Sequence, residues 1–250
     1  MRLLVAWLLA AGCAPAHPAF PSSWKIVDLT HVLAPDVPTF GGKPAISSKA
    51  LAKVDPDGLY LNEVTLLEHV GTHVDAPAHF VSGGAPIDRV PVERLVLQAA
   101  VIDVSATVAS NADYAVTADD VRRWEQRYGA LTAHHIVLVR TGWGARWPDA
   151  ARYRNPDAQG TLHFPGVSAD AARMFRDRGV AAIGIDTLSI DPGPSTTFDA
   201  HKTFLGGGGY QVENVANLDK LPETGAVIVV SPLPLAGGSG SPARVIAFIP

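Results

Sequence analysis

The sequence predicts a mixed α/β (α+β) single domain. The chain has 250 residues, 47% of them hydrophobic, enough for one substantial core. Its apolar runs are mostly short and read as many strands, with few helical segments interleaved irregularly among them. No internal repeat and no domain boundary divides it.

The elements follow in chain order. Ala14 to Ser23 is a Pro/Ala/Ser linker. Trp24 to Thr30, carrying Ile26, Val27 and Leu29, is a first strand. Pro35 to Pro44 is a Pro/Gly loop that carries Phe40. Val64, Leu66 and Leu67 form a buried strand feeding the segment after it, and Ala99 to Val104 form another. Thr117 caps a helix that runs to about Tyr128 and stops before Gly129, with Asp120 as the capping-box acid. His135 to Val139 is a strand. Ser168 caps a second helix, apolar at Ala172 and Phe175, which stops near Gly179. Strands follow at Val180 to Ile185, Tyr210 to Val212, Val227 to Val230 and Val245 to Ile249, with a flexible turn at Gly206 to Gly209.

Composition excludes several functions. The net charge is −4 with no basic run, so nothing suggests nucleic-acid binding. No apolar stretch reaches the roughly 20 residues of a membrane span. At the N-terminus, Met1-Arg2 precede an apolar run from Leu3 to Gly12, the pattern of a short secretory signal. Residues 1–20 are therefore leader and linker, and residues 21–250 the domain. The only cysteine, Cys13, follows Leu9-Ala10-Ala11-Gly12, which resembles a bacterial lipobox with Ala10 where Leu is usual. The outcomes are a lipid anchor at Cys13 on a membrane-attached lipoprotein, plain periplasmic secretion after Ala14-Pro15-Ala16, or a misassigned start on a cytoplasmic protein. A lone cysteine forms no disulfide within the chain, so it does not settle the compartment.

The chemistry concentrates in residues 69–79, His-Val-Gly-Thr-His-Val-Asp-Ala-Pro-Ala-His, which hold three of the nine histidines and an aspartate. Imidazole nitrogen and carboxylate oxygen are the donors of zinc and manganese sites. His69 and His73 have metalloprotease spacing, but Val70 stands where that motif needs Glu. A straight strand would hold His69 and Asp75 about 20 Å apart, too far for one ion. A straight helix is opposed by Gly71 and Pro77. The segment must bend, at Gly71-Thr72 and at Ala76-Pro77. A site of this kind needs a further ligand from elsewhere, and His201 and Glu213, flanking the glycine turn, are the candidates. Serine and cysteine hydrolase readings fail. Cys13 lies in the leader, and Gly237-Gly238-Ser239-Gly240-Ser241 misses the nucleophile elbow at its last position.

The pattern H-x-G-T-H-x-D-x-P-x-H resembles the signature of the metal-dependent cyclase family, which includes bacterial kynurenine formamidases and isatin hydrolases. The similarity continues through residues 137–143, Phe164-Pro165-Gly166, Gly184-Ile185-Asp186-Thr187, the stretch from His201 to Asn214, and Ser241-Pro242-Ala243-Arg244. The resemblance implies a barrel-like β core with few flanking helices, of the swivelling β/β/α type, and a homodimer. It implies one or two divalent ions, Zn2+ or Mn2+. His69, His73 and Asp75 bind the first, Glu213 joins or bridges, and His79 and His201 face a second or move protons. A His and a Glu twelve residues apart complete the family's centre, the spacing of His201 and Glu213 here.

The expected activity is hydrolysis of a small amide or lactam by metal-activated water. His79 or Glu213 acts as the catalytic acid/base. The most specific expectation is an arylformamidase cleaving N-formylkynurenine. The alternatives are an isatin hydrolase-like or other lactam, lactone or ester hydrolase, a cyclase/dehydratase, and a non-catalytic periplasmic metal-binding protein. Asp186 is either an acid orienting a ligand histidine or a turn aspartate. Phe40 and Trp143 are expected to contact the substrate, against the alternative of core packing that Phe80 and Trp24 share. Family members commonly carry Trp-Pro-Gly in the first Pro-rich loop, where this chain has Phe40-Gly41-Gly42.

Overall fold

The computed structural model describes residues 23–250. The leader, with Cys13, lies outside them. Twelve strands form in the described chain: β1 (Lys25–Asp28), β2 (Ile46–Ala52), β3 (Leu61–Leu66), β4 (His73–Asp75), β5 (Val96–Asp103), β6 (Ala115–Val116), β7 (His135–Arg140), β8 (Gly166–Val167), β9 (Ala182–Ile185), β10 (Tyr210–Glu213), β11 (Thr224–Pro232) and β12 (Gly240–Ile249). Eight of them make one sheet in the order β1-β12-β11-β5-β7-β9-β10-β4. Because β4 also pairs with β12, the sheet closes into a seven-stranded barrel with β1 as an added edge. β5, β7, β9 and β10 run parallel, and the other pairings of the barrel are antiparallel.

The central strands β7 and β9 are apolar on both faces because both are covered. In β7, Ile136 and Leu138 point into the barrel with Val74, Val101, Val212 and Ile228. Val137 and Val139 point outward, beneath Val121, Trp124 and Phe175 of the flanking helices. Those helices run Ala118–Tyr128 and Ala169–Asp177, as the caps predict. Thr117 Oγ1 accepts from the Asp120 N–H at 3.2 Å and Asp120 Oδ2 accepts from the Thr117 N–H at 2.7 Å, a complete capping box worth about 1 kcal/mol. Ser168 Oγ accepts from the Ala171 N–H.

Two features differ from expectation. The run Leu61–Leu66 is a strand, but it pairs only with β2, and Val64 and Leu67 are exposed. The ribbon stands apart from the barrel, so apolar composition here does not signal core. A further short helix, Asp199–Leu205, precedes the glycine turn. It has only seven residues and its N-cap residue, Phe198, makes no side-chain cap, so its local signal is weak. Among the described residues, no helix is long and apolar enough to cross a membrane.

Candidate metal centre

Strand alternation sets the site. In β4, His73 and Asp75 share the outer face of the barrel while Val74 enters the interior. Across the antiparallel pairing with β10, Glu213 lies opposite His73 and Gln211 opposite Asp75, so all four side chains share that face. The Asp199–Leu205 helix lies over it and delivers His201. Gly206 to Gly209 then turn the chain back so that β10 brings Glu213 under that helix. Gly71, at φ +64°, makes the expected first bend, and a Cβ there would strike Leu33. The 3-10 turn Pro77–His79 makes the second.

The result is one cluster. His73 Nε2 lies 3.2 Å from Asp75 Oδ1 and 3.5 Å from Glu213 Oε2. His201 Nε2 lies 3.1 Å from Glu213 Oε1 and 3.4 Å from Asp75 Oδ2. His69 Nδ1 is 2.6 Å from Asp75 Oδ1, and the His79 ring stacks on His69 at 3.8 Å. Two sets converge on Asp75, one of His69, Asp75 and His79, the other of His73, Asp75 and Glu213. Within each set the donor atoms lie within 4.8 Å of one another. Sequence reasoning named all six residues, and the fold brings all six together.

Outer contacts fix which nitrogen faces inward. His73 Nδ1 donates to the Gly71 carbonyl at 2.9 Å. His201 Nδ1 donates to Asp191 Oδ2 at 2.6 Å, leaving Nε2 of both rings toward the carboxylates. Asp191 also accepts from the N–H groups of Ala200 and His201, so it anchors both the helix start and the ring. Asn214, at φ +55°, donates Nδ2–H to the same Gly71 carbonyl, and Tyr153 Oη lies 3.0 Å from Asn214 Oδ1. Orienting contacts of this kind are the usual surroundings of metal-binding histidines.

The electrostatics describe a centre built for positive charge. Burial pulls the His73 imidazole down, but Asp75 and Glu213 more than reverse it, to about 9. Burial likewise opposes protonation of His201, and Asp191, Asp75 and Glu213 overcome it, well above the usual histidine value. Burial opposes ionisation of Asp75, yet His73, His201 and His69 hold its carboxyl well below the usual range. His79 differs, since burial takes it down to about 4 against the pull of Asp75. Protons on His73 and His201 thus do what a divalent ion would do. Asp75 Oδ2 is buried with no hydrogen-bond partner, an orphan that a cation would satisfy. Imidazole and carboxylate donors without thiolate suit zinc or manganese.

A pocket of about 320 Å³ opens over the cluster, lined by Pro38, Phe40, Phe80, Leu188 and Phe198 together with the histidines and Glu213. Phe40 therefore sits where a substrate would contact it. Trp143 does not. It is 1% exposed, its Nε1 donates to the Tyr153 carbonyl, and it packs in the core. Of the two readings of Asp186, the structure shows the turn aspartate and not the orienting acid. Its carboxylate accepts from Thr141 N and Oγ1 and from Gly144 N, holding the turn after β7. The acid on a histidine is Asp191, five residues further on. Its Asp191-Pro192-Gly193 setting reads locally as a turn, which hid it. Phe198 was also missed, and its αL conformation (φ +53°) carries no sequence signal in a bulky residue.

Comparison with known proteins extends the geometry. The Cyclase family model matches residues 27–192. The chain is similar to the isatin hydrolase of Roseibium aggregatum, 32% identical over 243 residues that cover 90% of this chain and 92% of that one. It is similar to the kynurenine formamidase of Maricaulis maris, 29% identical over 223 residues, covering 89% and 97%. Among solved structures, isatin hydrolase A from Ralstonia solanacearum matches with a TM-score of 0.83 and 35% identity, covering 91% of this chain and 92% of that one. An isatin hydrolase bound to the product analogue thioisatinate matches with a TM-score of 0.84 and 33% identity, covering 91% and 93%.

Proposed function

The chain belongs to the cyclase family, and from that membership we propose that it is a metal-dependent amide hydrolase that opens the lactam ring of isatin or a closely related aromatic compound. The observation that carries the reading is the aromatic pocket set directly on the His/Asp/Glu cluster. A flat bicyclic ring matches a cleft walled by Phe40, Phe80 and Phe198, and the similarity to isatin hydrolases supports the same choice over N-formylkynurenine.

His69, His73, His201, Asp75 and Glu213 would hold one or two ions, with His79 on the open side. A bound divalent ion supplies Lewis acidity, bringing the pKa of water to about 7 and polarising a carbonyl. The chain's own residues do the rest. The phenylalanines hold the ring and exclude bulk water from it. Asp75 and Glu213 would supply the oxygen donors to the ion. Water adds to the amide carbonyl, the C–N bond breaks, and the proton released goes to the leaving nitrogen. His79 stands on the pocket wall, neutral at pH 7, and is placed to pass that proton, with Glu213 as the alternative carrier.

The test is hydrolysis of isatin and of N-formylkynurenine, side by side, by one zinc- or manganese-loaded preparation. Faster ring opening of isatin supports the reading. Faster deformylation of N-formylkynurenine would replace it with the formamidase reading, and metal binding without turnover of either would favour the carrier reading.

A further inference from the structure

Three histidines of the centre are each pinned from behind, and one pin is made by residues that neither motif nor spacing marks. His69 Nε2 lies 2.9 Å from Ser239 Oγ. Ser239 Oγ in turn donates to Glu68 Oε2 at 2.5 Å, and the Ser239 N–H donates to the same oxygen at 3.1 Å. Ser239 stands at the mouth of β12, where its carbonyl accepts from the Ala76 N–H and Gly240 pairs with Asp75. Gly240 leaves the room, because a Cβ there would strike the His69 ring.

The proton count is fixed by this chain of contacts. A carboxylate only accepts, and a serine hydroxyl has one proton to give. With that proton on Glu68, Ser239 Oγ must accept from His69, so Nε2 carries the hydrogen. His69 Nδ1 is then the nitrogen that faces Asp75 Oδ1, at 2.6 Å, a gap that a proton fills when no ion is bound and that a cation can take over. Two acceptors that close require a positive charge between or beside them. We propose that Glu68 and Ser239 are positioning residues that lock His69 in its Nε2–H form and aim Nδ1 at the cation of the His69–Asp75–His79 set. The proposal rests on the metal-centre reading above. It assigns His69 the opposite ring nitrogen from His73 and His201, which face the centre through Nε2.

The test is Zn2+ affinity of the whole chain by competition with a chromophoric chelator, with Glu68→Ala, Ser239→Ala, the double variant and Ser239→Thr beside the unchanged chain. Outer-contact losses of this kind weaken metal binding about 10–100-fold. That loss is expected in either single alanine variant, with no further loss in the double variant and recovery in Ser239→Thr. Melting of the zinc-free proteins should not separate the variants. As a second readout, 15N spectra of the zinc-loaded chain should show His69 protonated at Nε2, with the signal identified by its absence in His69→Gln. Unchanged zinc affinity in both alanine variants, or a proton on His69 Nδ1 with zinc bound, overturns the proposal. If the unchanged chain binds no zinc, the metal-centre reading fails first and the proposal falls with it.

Discussion

His201 Nδ1 and Asp191 Oδ2 are 2.6 Å apart, both buried, and this pair fixes the direction of the imidazole that links Asp75 to Glu213. Replacing Asp191 with alanine leaves the helix-start N–H groups of Ala200 and His201 without their acceptor and frees the ring to rotate. The expected result is metal affinity weakened about 10–100-fold and a lower melting temperature. Asp191→Asn, which keeps an acceptor oxygen, should lose less. Equal metal affinity in Asp191→Ala and the parent would refute the orienting role.

Phe198 is within 5.5 Å of the Phe80 ring and 6.2 Å of the Phe40 ring. Ring pairs of this kind contribute about 0.5–1.5 kcal/mol each beyond burial. Phe198→Ala should therefore raise KM for an aromatic substrate by about tenfold, the equivalent of ~1.4 kcal/mol, with a smaller change in kcat. A fall in kcat at constant KM would instead show that Phe198 acts on His201, whose ring lies 6.0 Å away.

The ribbon of β2 and β3 exposes Leu51, Leu59, Tyr60, Leu61, Val64 and Leu67. An isolated two-stranded ribbon is marginal in water, and apolar side chains left exposed on one mark it as an association element. Sedimentation should find a homodimer. Leu61→Glu with Val64→Glu should give a folded monomer with an unchanged near-UV spectrum. A parent chain that sediments as a monomer would contradict this.

His31 stacks on Trp147 at 3.9 Å, and its Nε2 is buried without a partner. Burial takes its pKa from 6.5 to about 4, against a small opposing pull from Asp28. A histidine whose folded pKa is depressed favours the fold fully above its unfolded value, and that contribution is lost as pH falls from 6.5 toward 4. His31→Phe keeps the stacked ring and removes the titration. Its stability should decline less steeply than the parent's over that pH window, as measured by urea unfolding at a series of pH values. Parallel curves would place the acid sensitivity elsewhere.

The sequence exposes those parts of the site that lie close along the chain. His69, His73, Asp75 and His79 fall within eleven residues, and Gly71 and Pro77 announce the bends between them. The Thr117–Asp120 capping box and the Ser168 cap are local chemistry and were equally readable. The contacts that aim the histidines are not local. Ser239 meets His69 across 170 positions and Asn214 meets Gly71 across 143, so only the closed barrel reveals them. Trp143 and Asp186 show the converse. Each has a residue type suited to a site, and packing placed both away from the pocket. The ribbon was misjudged because an apolar run records that a surface needs covering, and not which surface covers it.

The most direct test is isatin hydrolysis by the chain before and after chelation, with metal content measured on the same sample and His73→Ala run beside it. The expected result is bound zinc or manganese, ring opening that chelation abolishes and the ion restores, and neither binding nor turnover in His73→Ala. Hydrolysis that persists at full rate after the ion has been removed would contradict it.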